Sequence, residues 1–95
     1  MHFSEYDKKL LNYAYEHGNE YDNYRCKYLF KNSDDIVHCL NSASSLQNSG
    51  YIEVFSDQLR RSTLEIADNS TLSSDMKLDY ELTNSGISAV QNHFR

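Results

Sequence analysis

One stretch, Ser33–Phe55 (SDDIVHCLNSASSLQNSGYIEVF), constrains this chain more than any other. It predicts a capped helix, a glycine stop and a strand that follows without a linker. Ser33 is the expected cap, with Asp34 and Asp35 placed where the positive end of the helix dipole favours acids. Ile36, Leu40 and Ala43 recur at helical spacing, and Val37, Cys39 and Leu46 widen the apolar face. Gly50 suits the left-handed position that ends a helix. In Tyr51-Ile52-Glu53-Val54-Phe55, Ile52 and Val54 point to one side and Glu53 to the other, as in a half-buried strand.

Elements of the same kind flank this unit. Ser4 is the expected cap of a first helix, with Asp7 as its capping-box partner. Tyr6, Leu10 and Ala14 lie four apart with Leu11 beside them, and Gly18-Asn19 closes the helix near His17. A second helix is expected over about Tyr21–Phe30, with Tyr24 and Tyr28 stacked one turn apart and Arg25, Lys27 and Lys31 facing out. After Phe55, Thr63–Ile66 alternates as a strand, and the polar run Asp68–Asp75 reads as a hairpin tip. Met76, Leu78, Tyr80 and Leu82 alternate strictly with Lys77, Asp79 and Glu81, the cleanest strand signal in the chain. Thr83 caps a last helix whose buried stripe is Ile87, Val90 and Phe94, with Leu82 and Ile87 as its staple. The expected order is helix, helix, helix, strand, strand, strand, helix.

Ninety-five residues fit one domain over 1–95, small but large enough for an independent core. Eight Tyr and four Phe are expected to supply much of the buried area. The net charge of −5, from nine basic and fourteen acidic residues, has the wrong sign for general attraction to phosphates. No apolar run follows basic residues at the start, so no secretory leader is expected. Nothing approaches the roughly 18 apolar residues of a membrane span. Cys26 and Cys39 read as reduced thiols of a cytoplasmic protein.

The step Tyr80-Glu81-Leu82-Thr83-Asn84-Ser85-Gly86, from strand into last helix, is similar to the wing-to-helix step of MarR-like and PadR-like regulators. The small residue at Gly86 lets the helix pack closely. Together with the helix-Gly-Tyr-Ile unit, it also resembles the small phage-associated YjcQ-like winged-helix family. The resemblance implies an α+β winged helix. Its three-helix core would carry an antiparallel β-hairpin or three-stranded wing and a C-terminal helix, and the third helix often reads DNA.

On that resemblance, the polar face of the central helix offers His38, Asn41, Ser42 and Ser45, with Asn48 beyond, to base edges of double-stranded DNA. Arg60 and Arg61 stand at the foot of the wing, and Arg25, Lys27 and Lys31 add either a basic surface or scattered solubilising charge. Against DNA reading stand Asp34 and Asp35 and a central helix with no Lys or Arg. Tyr13, Tyr15, Tyr21, Tyr51 and Phe55 are aromatic candidates for a protein interface or for the edge of the core. A homodimer is expected through the terminal helices at Tyr6, Tyr13, Ile87, Val90 and Phe94.

No enzyme is expected. His38 and Cys39 are adjacent on a helix and diverge by about 100°, so they make no nucleophile–base pair. The four His and two Cys have no metal-ligand spacing. Neither a phosphate loop nor a nucleophile elbow is present, and no cofactor is expected. Two functions remain: a DNA-associated transcription regulator or phage or mobile-element accessory protein, or an acidic protein-interaction module without DNA binding.

Overall fold

The computed structural model describes residues 3–55 and 77–94. Helix α1 (Glu5–His17) opens on Ser4, whose hydroxyl accepts from the Asp7 N–H while the Asp7 carboxylate accepts from the Ser4 N–H. That reciprocal box satisfies two of the free donors of the first turn. Leu10, Leu11 and Ala14 are fully buried. The helix stops at Gly18, where a Cβ would overlap the backbone of Tyr24.

The helix expected over Tyr21–Phe30 does not form. A single 3-10 turn, Glu20–Asp22, leads through two adjacent left-handed residues, Asn23 (φ 55°) and Tyr24 (φ 59°), into strand β1 (Cys26–Leu29). A left-handed pair cannot continue a right-handed helix. Beyond it, Cys26, Tyr28 and Phe30 are buried while Lys27, Leu29 and Lys31 are exposed. This two-residue period overrides the four-residue spacing of Tyr24 and Tyr28. The two rings part accordingly: Tyr24 stacks on Tyr15, and Tyr28 meets Tyr13 and Phe30 edge-on. No three-helix core therefore precedes the sheet, and the sheet takes a strand from this region.

Helix α2 (Ser33–Asn48) is capped by Asn32, one residue before the expected Ser33; the Asn32 side-chain oxygen accepts from the Asp35 N–H at 2.8 Å. Ile36, Cys39, Leu40, Ala43 and Leu46 are buried, and Val37 is half-buried. Gly50 adopts φ 85°. Its N–H donates to the Gln47 carbonyl and the Tyr51 N–H to that of Leu46, the paired bonds of a left-handed helix stop.

Strand β2 (Ile52–Val54) follows, and β3 (Lys77–Leu82) lies between β1 and β2, antiparallel to both. The register sets Cys26 opposite Tyr80 and Ile52 opposite Leu82. Leu78, Tyr80 and Leu82 are completely buried, and the Tyr80 hydroxyl donates to the Leu10 carbonyl at 2.5 Å. The expected strand Thr63–Ile66 and hairpin tip Asp68–Asp75 lie outside the described residues.

Thr83 caps helix α3 (Asn84–Ala89), which runs into a π-helical turn over Val90–Phe94. The Thr83 hydroxyl also donates to the Gly50 carbonyl at 2.5 Å, and its N–H to that of Tyr51. A Cβ on Gly86 would overlap the Tyr51 carbonyl oxygen, so the close approach needs glycine. The described chain is α+β: three helices and a small antiparallel sheet whose inner face meets their apolar sides. No helix among the described residues is long and apolar enough to cross a membrane.

Candidate functional site

An open groove of about 370 Å³ runs between the start of α1 and the middle of α2, lined by Ser4, Tyr6, Asp7, His38, Asn41, Ser42 and Ser45. It brings together four of the five central-helix residues expected to face DNA; the fifth, Asn48, is exposed outside it. His38 is exposed and stacks on Tyr6, with ring centres 4.9 Å apart and planes 17° from parallel. Asn41 and Ser45 are exposed, whereas Ser42 is buried. The Ser42 hydroxyl donates to one oxygen of the buried Asp7 carboxylate. Ser42 thus faces the chain's own acid, and a carboxylate forms the groove floor.

A second polar cluster lies deeper and ties α1, β1 and α2 together. Asp35 accepts from the Lys9 ammonium at 3.3 Å, the Tyr28 hydroxyl at 3.0 Å, the Lys31 N–H at 2.9 Å and the Cys39 thiol at 3.4 Å. Burial pushes the Asp35 carboxyl up, but these four donors together hold it below its ordinary value. The Tyr28 oxygen raises the Lys9 ammonium, desolvation works against it, and Asp35 adds to the rise. Burial, followed by the Asp35 charge, pushes the Cys39 thiol up to about 12. A thiol held in that form is a donor and not a nucleophile at neutral pH. Burial likewise raises Cys26 to about 11.

The other predicted residues are placed as follows. Arg25 grips Asp79 with Nε at 3.0 Å and Nη2 at 2.9 Å, and its guanidinium lies 4.1 Å above the Phe55 ring. Lys27 and Lys31 are exposed. Arg60 and Arg61 lie outside the described residues. Val90 is completely buried in the core. Tyr6, Tyr13, Ile87 and Phe94 are half-buried and pack against the core. Of the aromatic candidates, Tyr21 (88% exposed) and Phe55 (42%) stand out from the surface, while Tyr13, Tyr15 and Tyr51 pack at the core's edge.

Sequence reasoning placed Asp7 in a capping box, but not its bond to Ser42, 35 residues away. It assigned Asp35 to the helix dipole and missed its partners, of which Lys9 lies 26 residues away. No pattern of spacing marks either contact. A second cleft, of about 390 Å³, lies along α3 between Tyr51 and His93. Among the described residues, no three His, Cys, Asp or Glu side chains gather as metal ligands. Compared with known protein families, curated proteins and solved structures, the chain matches none.

Proposed function

We propose that the protein is a non-enzymatic, winged-helix-like interaction module that docks on another protein through the α1–α2 groove and does not engage duplex DNA. In this reading α1 and α2 are core helices, β2 and β3 are the wing strands, and α3 is the closing helix. The observation that carries it is the groove's charge. No Lys or Arg lies on α2, Asp34 is exposed in its first turn, and Asp7 forms the floor. Phosphates entering there would meet carboxylates. Lys9 of α1, whose ammonium lies 5.4 Å from the centre of the groove-lining Tyr6 ring, is held by Asp35. The polar rim of Tyr6, His38, Asn41 and Ser45 suits hydrogen bonds to a partner's backbone and side chains. Two buried free thiols suit a cytoplasmic setting.

A second reading, a DNA-associated transcription regulator or phage or mobile-element accessory protein, is favoured by one observation. His38, Asn41 and Ser45 are exposed together along one groove, as base-reading side chains must be. Titration of labelled mixed-sequence duplex at low salt separates the two, because electrostatic binding is strongest there. The interaction module is expected to leave the duplex free even at high protein concentration. Binding that Arg60→Ala with Arg61→Ala weakens, with a flatter salt dependence, would overturn it in favour of the regulator.

A further inference from the structure

Asp7 is an acid without a cation. It is 9% exposed, and its partners among the described residues are the Ser4 N–H on one oxygen and the Ser42 hydroxyl on the other. Both donors are neutral. Each carboxylate oxygen has room for a second bond, so each keeps an acceptor site. The carboxylate forms the floor of the open α1–α2 groove, and no Lys or Arg lines that groove. A carboxylate withdrawn from water without a counter-charge is costly, and a cation reaching it from outside would offset that cost.

A second acid stands on the same side of the groove. Asp34, His38, Asn41 and Ser45 follow one another at intervals of four, three and four, which places them along one face of α2. Asp34 is exposed in the first turn and heads that stripe. One carboxylate therefore lies on the floor and another at the head of the α2 wall. Lys9 does not compensate them, because its ammonium is held 3.3 Å from Asp35.

Arginine fits this floor better than lysine does. Its planar fork presents parallel N–H donors to both oxygens of one carboxylate, whereas an ammonium offers a point charge. At about 370 Å³ the groove has room for one long side chain from an approaching surface. We propose that the α1–α2 groove recognises a basic segment of its partner protein, seated by an arginine on Asp7. The inference rests on the docking function proposed above and names the chemistry of the partner.

Fluorescence anisotropy of the full chain with two labelled probes tests it. One is a short Gly-Ser peptide carrying arginines; the other has citrulline, a neutral side chain of the same shape, in their place. The arginine peptide is expected to bind about tenfold more tightly. Asp7→Asn keeps an acceptor in the groove but removes the charge, and is expected to weaken that binding about tenfold. Glu20→Gln removes the same charge from an exposed position outside the groove and is expected to change binding less than about twofold. Ser45→Lys supplies a cation to the groove wall and is expected to weaken the arginine peptide as Asp7→Asn does. It keeps the test decisive if circular dichroism shows Asp7→Asn unfolded. Equal binding of the two peptides, no binding of the arginine peptide, or equal losses in the groove variants and Glu20→Gln would overturn the inference. Equal binding would leave a docking groove for a neutral segment, whereas duplex binding in the titration above would remove the docking function itself.

Discussion

Asp7 and Asp35 occupy equivalent positions, third in α1 and third in α2, and each reaches across to the other helix. Asp35 meets Lys9 of α1, and Asp7 meets Ser42 of α2. Their surroundings differ. Asp35 accepts from a cation, a phenol, a thiol and a backbone N–H, deep at the junction with β1. The described partners of Asp7 are neutral, the Ser4 N–H and the Ser42 hydroxyl, and it lines an open groove. One acid locks the core and the other leaves a surface that a partner can approach. The same local signal therefore serves two ends, and depth decides which.

The sharpest way to break this contrast is Asp35→Ala. It strands the Tyr28 hydroxyl and the Lys31 N–H without their acceptor and removes the Lys9 counter-ion. Lys9 is one-third exposed and can turn to water, so most of the cost falls on the buried donors. The expected loss is about 3 kcal/mol in urea unfolding. The acid limb of stability supplies the sign. The folded carboxyl of Asp35 is held below its unfolded value. Its contribution is complete above about pH 4 and is lost as pH falls further. Asp35→Asn is therefore expected to flatten the fall in stability below that pH. An unchanged acid limb would mean that Asp35 adds nothing to the core as a charge.

Asp7→Ala is the next step down. It breaks the capping box at Ser4 and leaves the Ser42 hydroxyl without its acceptor, but water in the groove can replace part of both. About 2 kcal/mol is expected from the same urea measurement. A loss equal to that of Asp35→Ala would erase the distinction between a lock and a groove floor.

How much of this was legible in the sequence divides along the same line. The Ser4–Asp7 box, the left-handed Gly50, the Lys77–Leu82 alternation and the Thr83 cap are set by neighbours within a few residues, and all were read correctly. The region from Tyr21 to Phe30 was misread because four-residue and two-residue spacings coexist in it. The consecutive left-handed turns at Asn23 and Tyr24, which decide between them, carry no glycine to announce them. Ser33 yielded the cap to Asn32 because both residue types cap well and the sequence does not rank them. The groove was half legible: helical periodicity gathered His38, Asn41, Ser42 and Ser45 on one side of α2. What lay against that side was set by how α1 packs, and that is a tertiary fact.

Ser42→Ala carries the smallest expected effect and tests the contrast most finely. The substitution removes one hydroxyl and keeps the small, buried Cβ, so packing around Leu46 and Ala43 need not change. Asp7 keeps the Ser4 N–H as a donor, and its other oxygen faces a groove that water can enter. The net loss of one such hydrogen bond is about 1 kcal/mol. The acid limb assigned to Asp35 should be untouched, because Lys9, Tyr28, Lys31 and Cys39 all remain in place. A loss as large as that of Asp7→Ala would mean that the Ser42 bond, and not the capping box, anchors α1 to α2. The groove floor would then be a second lock, and the surface available to a partner would shrink to the rim at Tyr6, His38, Asn41 and Ser45.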